Sequence, residues 1–453
     1  MKNLFLTITL FISVQLFAQT PSDSLFIRKI YDEALENGKC YDDLRELCKN
    51  IGARITGSAE AEMAIKWGEK KLKSYGFDKV YLQEIPIPHW ERGTKEAAWI
   101  ENEKGDFLKL DLIALGGSIG TNGILKAEVI EAKSLDYLKN LPADKVKGKI
   151  VFLSTPFDQK LIQTFKAYGA CYPIRGDGAV EAAKKGAIGV VIRSLGSSED
   201  DFPHTGTMHY EEGVTKIPAA AMSTNNANTL QKWLLQGKVT LSMELNCKWN
   251  EETTSYNVIA ELKGKDDQII TIGGHLDSWD VGEGAHDDGA GIVHCIEALR
   301  ILKTLGYQPQ HTLRCVLYMN EENGNYGGET YALKASEKKE KHIAAIESDR
   351  GGFMPLGFDV DGTAEQIQQI QAFKTLLQPY NLFKFEKGYS GVDIRPLKKY
   401  YPGMVQLGMV ITSQRYFDYH HTANDVFENV NKRELELGSA AMAGMLYLLD
   451  KYL

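Results

Sequence analysis

The stretch 271–291, TIGGHLDSWDVGEGAHDDGAG, restricts the fold of this chain more than any other. The apolar run through which it is entered, 269–272, reads as a buried strand. It breaks at Gly273 and Gly274 and delivers His275 and Asp277, then Asp287 and Asp288. A Gly-Ala-Gly triplet opens a long amphipathic run to Leu305. Strand, ligand-bearing loop, helix is how an open α/β sheet places chemistry at the carboxyl ends of its strands. His-x-Asp suits a metal, because a ligating imidazole needs an acceptor on its other nitrogen to fix its tautomer. A metal site around His275 and Asp287 is the first expectation.

The pattern on either side agrees. From Ser255 onward apolar runs alternate with helical periods: strands over 255–262, 269–274, 312–319, 342–348 and 404–411, and helices over 288–305, 327–339, 363–380 and 433–453. Such alternation predicts an α/β fold with a mostly parallel central sheet flanked by helices. Earlier in the chain, residues 22–52 read as two helices. Residues 59–75 read as a third, capped by Ser58 and stopped at Gly76, and 80–88 as a strand.

Between 114 and 249 the texture changes to short strands around two modest helices, with few titratable clusters. At 453 residues the chain exceeds one comfortable core, so this segment is expected to be a self-contained α+β insertion. The expected organisation is an export signal over 1–18, a first part of the main domain over 19–113, the insertion over 114–249, and 250–453 carrying every metal ligand. His204 and His209 form the one histidine pair in the insertion, a weak metal signal at that spacing.

The first residues combine Lys2, an apolar core over 4–17 and Ala18 before a polar segment. This is the pattern of a secretory signal, too short and too interrupted to remain as a membrane anchor. The protein is therefore expected to be exported, periplasmic or secreted, with no membrane anchor after cleavage. A net charge of −8 and the absence of any basic run argue against nucleic-acid binding. Six cysteines are sparse for a disulfide scaffold of this size. Cys40 and Cys48 would lie roughly 12 Å apart along a helix, too far to bridge, and Cys295 and Cys315 fall in core elements, so buried thiols are expected.

The other strand ends test the metal site. The strand over 312–319 runs into Asn320, Glu321 and Glu322, and that over 342–348 into Asp349. The strand over 404–411 leads to a loop with Tyr416, Asp418, His420 and His421, and Asp425 beyond. Any one carboxylate would pass for a solvated helix start; their joint placement on one sheet edge is what signifies. His275, Asp287, Glu322, Asp349 and His421 supply five N/O ligands without Cys, which suits zinc better than calcium or magnesium. Two ions bridged by one carboxylate can hold a hydroxide and polarise a carbonyl together. One of two adjacent glutamates can then ligate while the other moves the proton.

These motifs resemble peptidase family M28, the co-catalytic zinc peptidases: 273–280 (GGHLDSWD), 284–291 (GAHDDGAG), the Glu321-Glu322 pair, Glu347-Ser348-Asp349, and His421-Thr422 with Asp425. Residues 87–93, 116–121, 178–187 and 203–206 resemble more closely its carboxypeptidase Q-like branch, and the similarity spans nearly the whole mature chain. The resemblance implies two Zn2+ ions, with His275 and Asp349 on one, Glu322 and His421 on the other, and Asp287 bridging. It further implies Glu321 as general base, Asp277 as the partner that orients His275, and a cis Asp287–Asp288 peptide. The insertion would be a protease-associated (PA-like) domain shaping the cleft, the substrate a short peptide, and the protein a homodimer. The sequence departs from the family pattern at 350–352 and 323–328, beside the cleft, which bears on substrate preference.

The function so implied is hydrolysis of dipeptides or short peptides by an exopeptidase, with an M28-type aminopeptidase as the alternative. A free carboxylate would need a cation, for which Arg350, Arg395 and Arg415 are candidates. A free amine would need an acid, for which Asp393 or Asp418 could serve. A non-catalytic, receptor-like relative would lack ligands or the base, whereas here all five ligands and Glu321 are present. A one-zinc acyltransferase would not need the second set of ligands.

Overall fold

The computed structural model describes residues 21–453; the segment expected as an export signal lies outside the described residues. Its principal sheet has eight strands. In chain order these are β1 (Lys79–Ile87), β2 (Thr253–Leu262), β3 (Gln268–His275), β4 (Thr312–Tyr318), β5 (Lys341–Glu347), β6 (Pro355–Asp361), β7 (Lys384–Lys387) and β8 (Val405–Ile411). Their spatial order is β1-β2-β4-β3-β5-β8-β6-β7.

The four central strands β4, β3, β5 and β8 are parallel, so their carboxyl ends share one edge. Antiparallel pairings flank them: β1 with β2, β2 with β4, and β6 with β8. The parallel sheet read from the sequence is this centre. Hydropathy does not announce β6 or β7, because Pro355 and Gly357 interrupt the first and the second is only KFEK.

Alternate residues on the strands feed cores on opposite faces, as period-two geometry requires. Val258, Leu317 and Ile272 belong to one core; Ile259, Val316 and Tyr318 belong to the other, with Tyr331 of helix Tyr326–Glu337. Helix Ala290–Thr304 is buried at every position from Ala290 to Leu302. It lies between β3 and the long helix Lys432–Tyr452, which suits a segment that is apolar nearly all round. Ser58 caps helix Ala59–Ser74 by accepting the Ala61 N–H at 3.0 Å.

A second eight-stranded sheet is built from residues between Glu96 and Leu245. At its centre Leu125–Ala132, Ile150–Leu153, Gly189–Arg193 and Ala219–Met222 run parallel. Three short strands ahead of residue 115 join it: Glu96–Asn102, Phe107–Lys109 and Leu112–Ala114. The chain leaves and rejoins the principal sheet through a ribbon in which Trp90–Glu91 pairs with Lys248–Trp249. All six cysteines are free and buried. Among the described residues, no helix is long and apolar enough to cross a membrane.

Candidate metal centre and cleft

The parallel strands bring the sequence's scattered carboxylates and histidines together. His275 is the last residue of β3. Asn320–Glu322 follow β4, Asp349 follows β5, and His420 and His421 follow the helical turn Tyr416–Tyr419 beyond β8. Asp287 sits in the loop between β3 and helix Ala290–Thr304, and its peptide bond to Asp288 is cis.

Asp287 lies between two groups. Its Oδ1 is 3.3 Å from His275 Nε2, which is itself 3.4 Å from Asp349 Oδ1. Its Oδ2 is 3.2 Å from His421 Nε2, which is 3.2 Å from Glu322 Oε2. In a tetrahedron of zinc bonds to N and O ligands, neighbouring ligand atoms are about 3.3 Å apart, so both spacings fit an ion on each side. Asp287 Oδ2 and Glu322 Oε1 are buried without a hydrogen-bond partner, as atoms aimed at an ion would be. The donors are imidazole and carboxylate with no thiolate, which also fits zinc.

His420 competes with His421 for one position, since its Nε2 is 3.6 Å from Asp287 Oδ2 and the two rings stack at 3.5 Å. The nitrogen opposite each donor separates them. His421 Nδ1 faces the Thr205 carbonyl at 3.2 Å, which fixes the ring with Nε2 toward Asp287 and Glu322. His420 Nδ1 has no partner. Thr205 belongs to the second sheet's unit, so that unit orients a candidate ligand of the first.

Other buried groups hold the loops in place. Asp425 accepts the main-chain N–H of His286 at 2.8 Å and of Asp287 at 3.0 Å. Asp288 accepts those of His275 and Gly291, each at 3.1 Å. Gly291 is required there, because a Cβ would lie 1.8 Å from the Ser348 carbonyl oxygen. Arg54 donates to the carbonyls of Leu276, Glu283 and Gly284, stapling the loop that follows β3. Neither Arg54 nor Asp288 carries a sequence signal for this work.

Asp277 departs from its expected role. His275 Nδ1 faces the main-chain carbonyl of Asp277 at 3.0 Å, whereas the carboxylate is 3.8 Å away. The carboxylate instead gathers the turn after β4. It accepts the N–H groups of Asn320 at 2.8 Å, Glu321 at 3.2 Å and Glu322 at 3.3 Å, together with the Thr56 hydroxyl at 2.8 Å. The orienting acceptor is thus backbone, and the side chain positions the two glutamates. The Glu321 carboxylate itself makes no hydrogen bond or ion pair among the described residues.

The electrostatics are those of a site that calls for cations. Burial raises Glu321 well above the carboxylate range, His275 opposes this, and Asp349 adds to it. Burial also raises Glu322 and Asp349. His275 would be lowered by burial, yet Asp287 and Asp349 raise it well above its ordinary value. His421 likewise stands at about 9, raised by Glu322 and Asp287 against burial. Protonated imidazoles thus supply positive charge, which metal ions would replace with release of protons.

The centre opens on a cleft of about 890 Å³ between the two sheets' units. Phe165, Tyr168 and Arg175 line it from one side, and Glu321, Arg350 and Tyr416 from the other. Of the cations and acids read from the sequence as terminus-binding groups, only Arg350 lines it. Arg395 and Arg415 are exposed elsewhere, and Asp393 and Asp418 are not on its wall. Arg175 carries no local signal in the sequence. His204 and His209 do not meet: His204 is buried against the His420 carbonyl, while His209 is exposed and pairs with Asp177.

Comparison with known proteins finds relatives of this chain in sequence and in fold. The sequence model of peptidase family M28 matches residues 257–445. Carboxypeptidase Q of Bos taurus is 34% identical over 425 residues, covering 93% of this chain and 86% of the bovine one. The crystal structure of a peptidase M28 precursor from Shewanella amazonensis superposes with a TM-score of 0.90 at 36% identity, covering 95% and 97% of the two chains. A zinc aminopeptidase from Bacillus subtilis shares the fold, with a TM-score of 0.65 at 22% identity over 90% of this chain and 94% of its own.

Proposed function

The chain belongs to peptidase family M28, and on that premise we propose that it is an exported, carboxypeptidase Q-like exopeptidase that hydrolyses dipeptides or short peptides with two zinc ions. As an M28 member similar to carboxypeptidase Q it is a metallopeptidase; the ion count, the export and the terminus attacked are the proposed part. The observation that carries the two-ion reading is the division of the Asp287 carboxylate between His275 with Asp349 and His421 with Glu322.

Zinc held by these groups would polarise the peptide carbonyl and acidify water. The residues supply the rest. Asp287 would be shared between the two ions, and the carbonyls of Asp277 and Thr205 hold His275 and His421 in their donating tautomers. Glu321, fixed through its N–H by Asp277 and free at its carboxylate, takes the proton of the attacking water and returns it to the leaving amine. The second sheet's unit, read as a protease-associated-like insertion, closes the other wall of the cleft and excludes bulk water.

The test is metal content and hydrolysis of one panel of dipeptides, free, N-blocked or C-blocked, by the chain lacking residues 1–18. Two zinc ions per chain, and cleavage that C-blocking abolishes, support the reading. One ion per chain removes the co-catalytic mechanism, and loss of cleavage on N-blocking alone makes the enzyme an aminopeptidase.

A further inference from the structure

A second cavity, of about 280 Å³, adjoins the cleft. Thr207 lines both, and its hydroxyl donates to the Glu322 carbonyl. The turn that carries the two glutamates therefore forms the wall between them. Glu321, Glu322 and Gly324 line the cleft, whereas Asn323 of the same turn lines the second cavity. Asn323 is only 9% exposed, and its Nδ2 is buried with no hydrogen-bond partner. A neighbour fixes which end of this amide is left over. Asn320 Oδ1 accepts the Tyr326 N–H at 3.2 Å, so Asn320 Nδ2 is the donor to Asn323 Oδ1 at 2.5 Å. Asn323 thus satisfies its oxygen inside the turn and keeps two N–H bonds to offer the cavity.

The rest of the wall suits an anion with an apolar body. No carboxylate lines this cavity, in a chain of net charge −8 whose cleft is rich in them. Lys216 does line it, without an ion pair among the described residues, its amine 5.4 Å from the centre of the Tyr210 ring. Trp249 is 43% exposed, yet its indole N–H donates to the Gly117 carbonyl at 3.0 Å. The ring is held in place while much of it stays open. A fixed, uncovered ring offers wide contact at little entropic cost. A buried N–H without an acceptor costs free energy until an oxygen meets it, and a charged oxygen meets it best.

We propose that this cavity is a binding site, separate from the cleft, for a small carboxylate carried on an aromatic or apolar body. The carboxylate takes the free N–H of Asn323 and the charge of Lys216, and the body lies against Trp249 and Tyr210. Because Thr207 and the glutamate turn stand between the two cavities, the site fills whether or not the metal centre is intact. The inference goes beyond the peptidase reading and does not rest on it, since binding is measured without turnover.

The experiment titrates hydrocinnamate into the zinc-loaded chain by calorimetry, with the neutral hydrocinnamamide as control. The acid binds saturably, and the amide binds about tenfold more weakly. Lys216→Glu, a change on an exposed side chain outside the cleft, lowers affinity for the acid by about tenfold and leaves hydrolysis of dipeptides as it was. Asn323→Ala lowers that affinity by a similar factor. Asp287→Ala, which disturbs the metal centre, retains it. Absence of saturable binding, or an affinity that Lys216→Glu leaves intact, would overturn the proposal even if Asn323→Ala fails to fold. Binding lost in Asp287→Ala but kept in Lys216→Glu would place the acid on the metal ions instead. A chain that binds the acid as expected yet cleaves no dipeptide upholds this site and strikes only at the peptidase reading.

Discussion

The Asp277 carboxylate accepts the main-chain N–H of Glu321 at 3.2 Å, so a residue two positions past His275 sets where the candidate base stands. The same carboxylate holds the N–H groups on both sides of Glu321 and the Thr56 hydroxyl. Asp277→Asn puts an amide nitrogen where one acceptor oxygen stood and leaves a buried donor unpaired, at a cost of about 1–3 kcal/mol. Thermal unfolding reads the loss of stability, and kcat falls more than zinc content does. A variant that loses zinc first would place the Asp277 side chain on His275 after all.

Glu321→Gln keeps the shape of the turn and removes the proton acceptor. Because a general base contributes about 10²–10⁴-fold, kcat drops by at least that range while zinc stoichiometry, measured by elemental analysis, stays the same. Near wild-type turnover would exclude Glu321 as the base.

Asp287→Ala and Asp349→Ala separate bridge from terminal ligand. Loss of the bridge weakens both positions; loss of Asp349 leaves the His421–Glu322 side intact. The expected zinc contents after dialysis are near none for the first and about one per chain for the second. Identical contents would mean that Asp287 is not shared.

The chelated protein is expected to lose stability as pH rises. His421 stands at about 9, raised by Glu322 and Asp287. Burial raises Glu347 to about 8 and Asp425 to about 7, with Asp349 and Asp287 adding to the respective shifts. Each folded value lies above the unfolded one, so the folded chain holds protons that the unfolded chain releases. The His421 contribution is complete below about pH 6.5 and is lost as pH rises through its folded value. The two carboxyls penalise folding increasingly above about pH 4. Scanning calorimetry in a chelator should therefore give a lower Tm at about pH 8.5 than at about pH 6.5, and added zinc should reverse the trend. A Tm that rises over that interval without metal would contradict this assignment of charge.

Much of the candidate metal centre is legible because its candidate ligands follow strand ends. An apolar run that stops at His275, another that stops before Glu321 and Glu322, and a third before Asp349 can be aligned on one edge without coordinates, since parallel strands all end on the same side. The margins of the sheet are less legible. β7 is four residues with two lysines, and its place beside β6 depends on pairing that only the folded sheet supplies.

The sequence alone determined the chemistry on offer: the residue types, their positions after buried strands, and the α/β alternation, all of which are local patterns of polarity. Tertiary structure decided which atoms meet. It set the main-chain carbonyl of Asp277, and not its side chain, against His275 Nδ1, set the Thr205 carbonyl against His421 Nδ1, and brought Arg175 from a distant unit to the cleft wall. Those outcomes depend on how side chains and carbonyls are oriented once the chain has folded, and on which buried group finds a partner. No periodicity in the sequence encodes either.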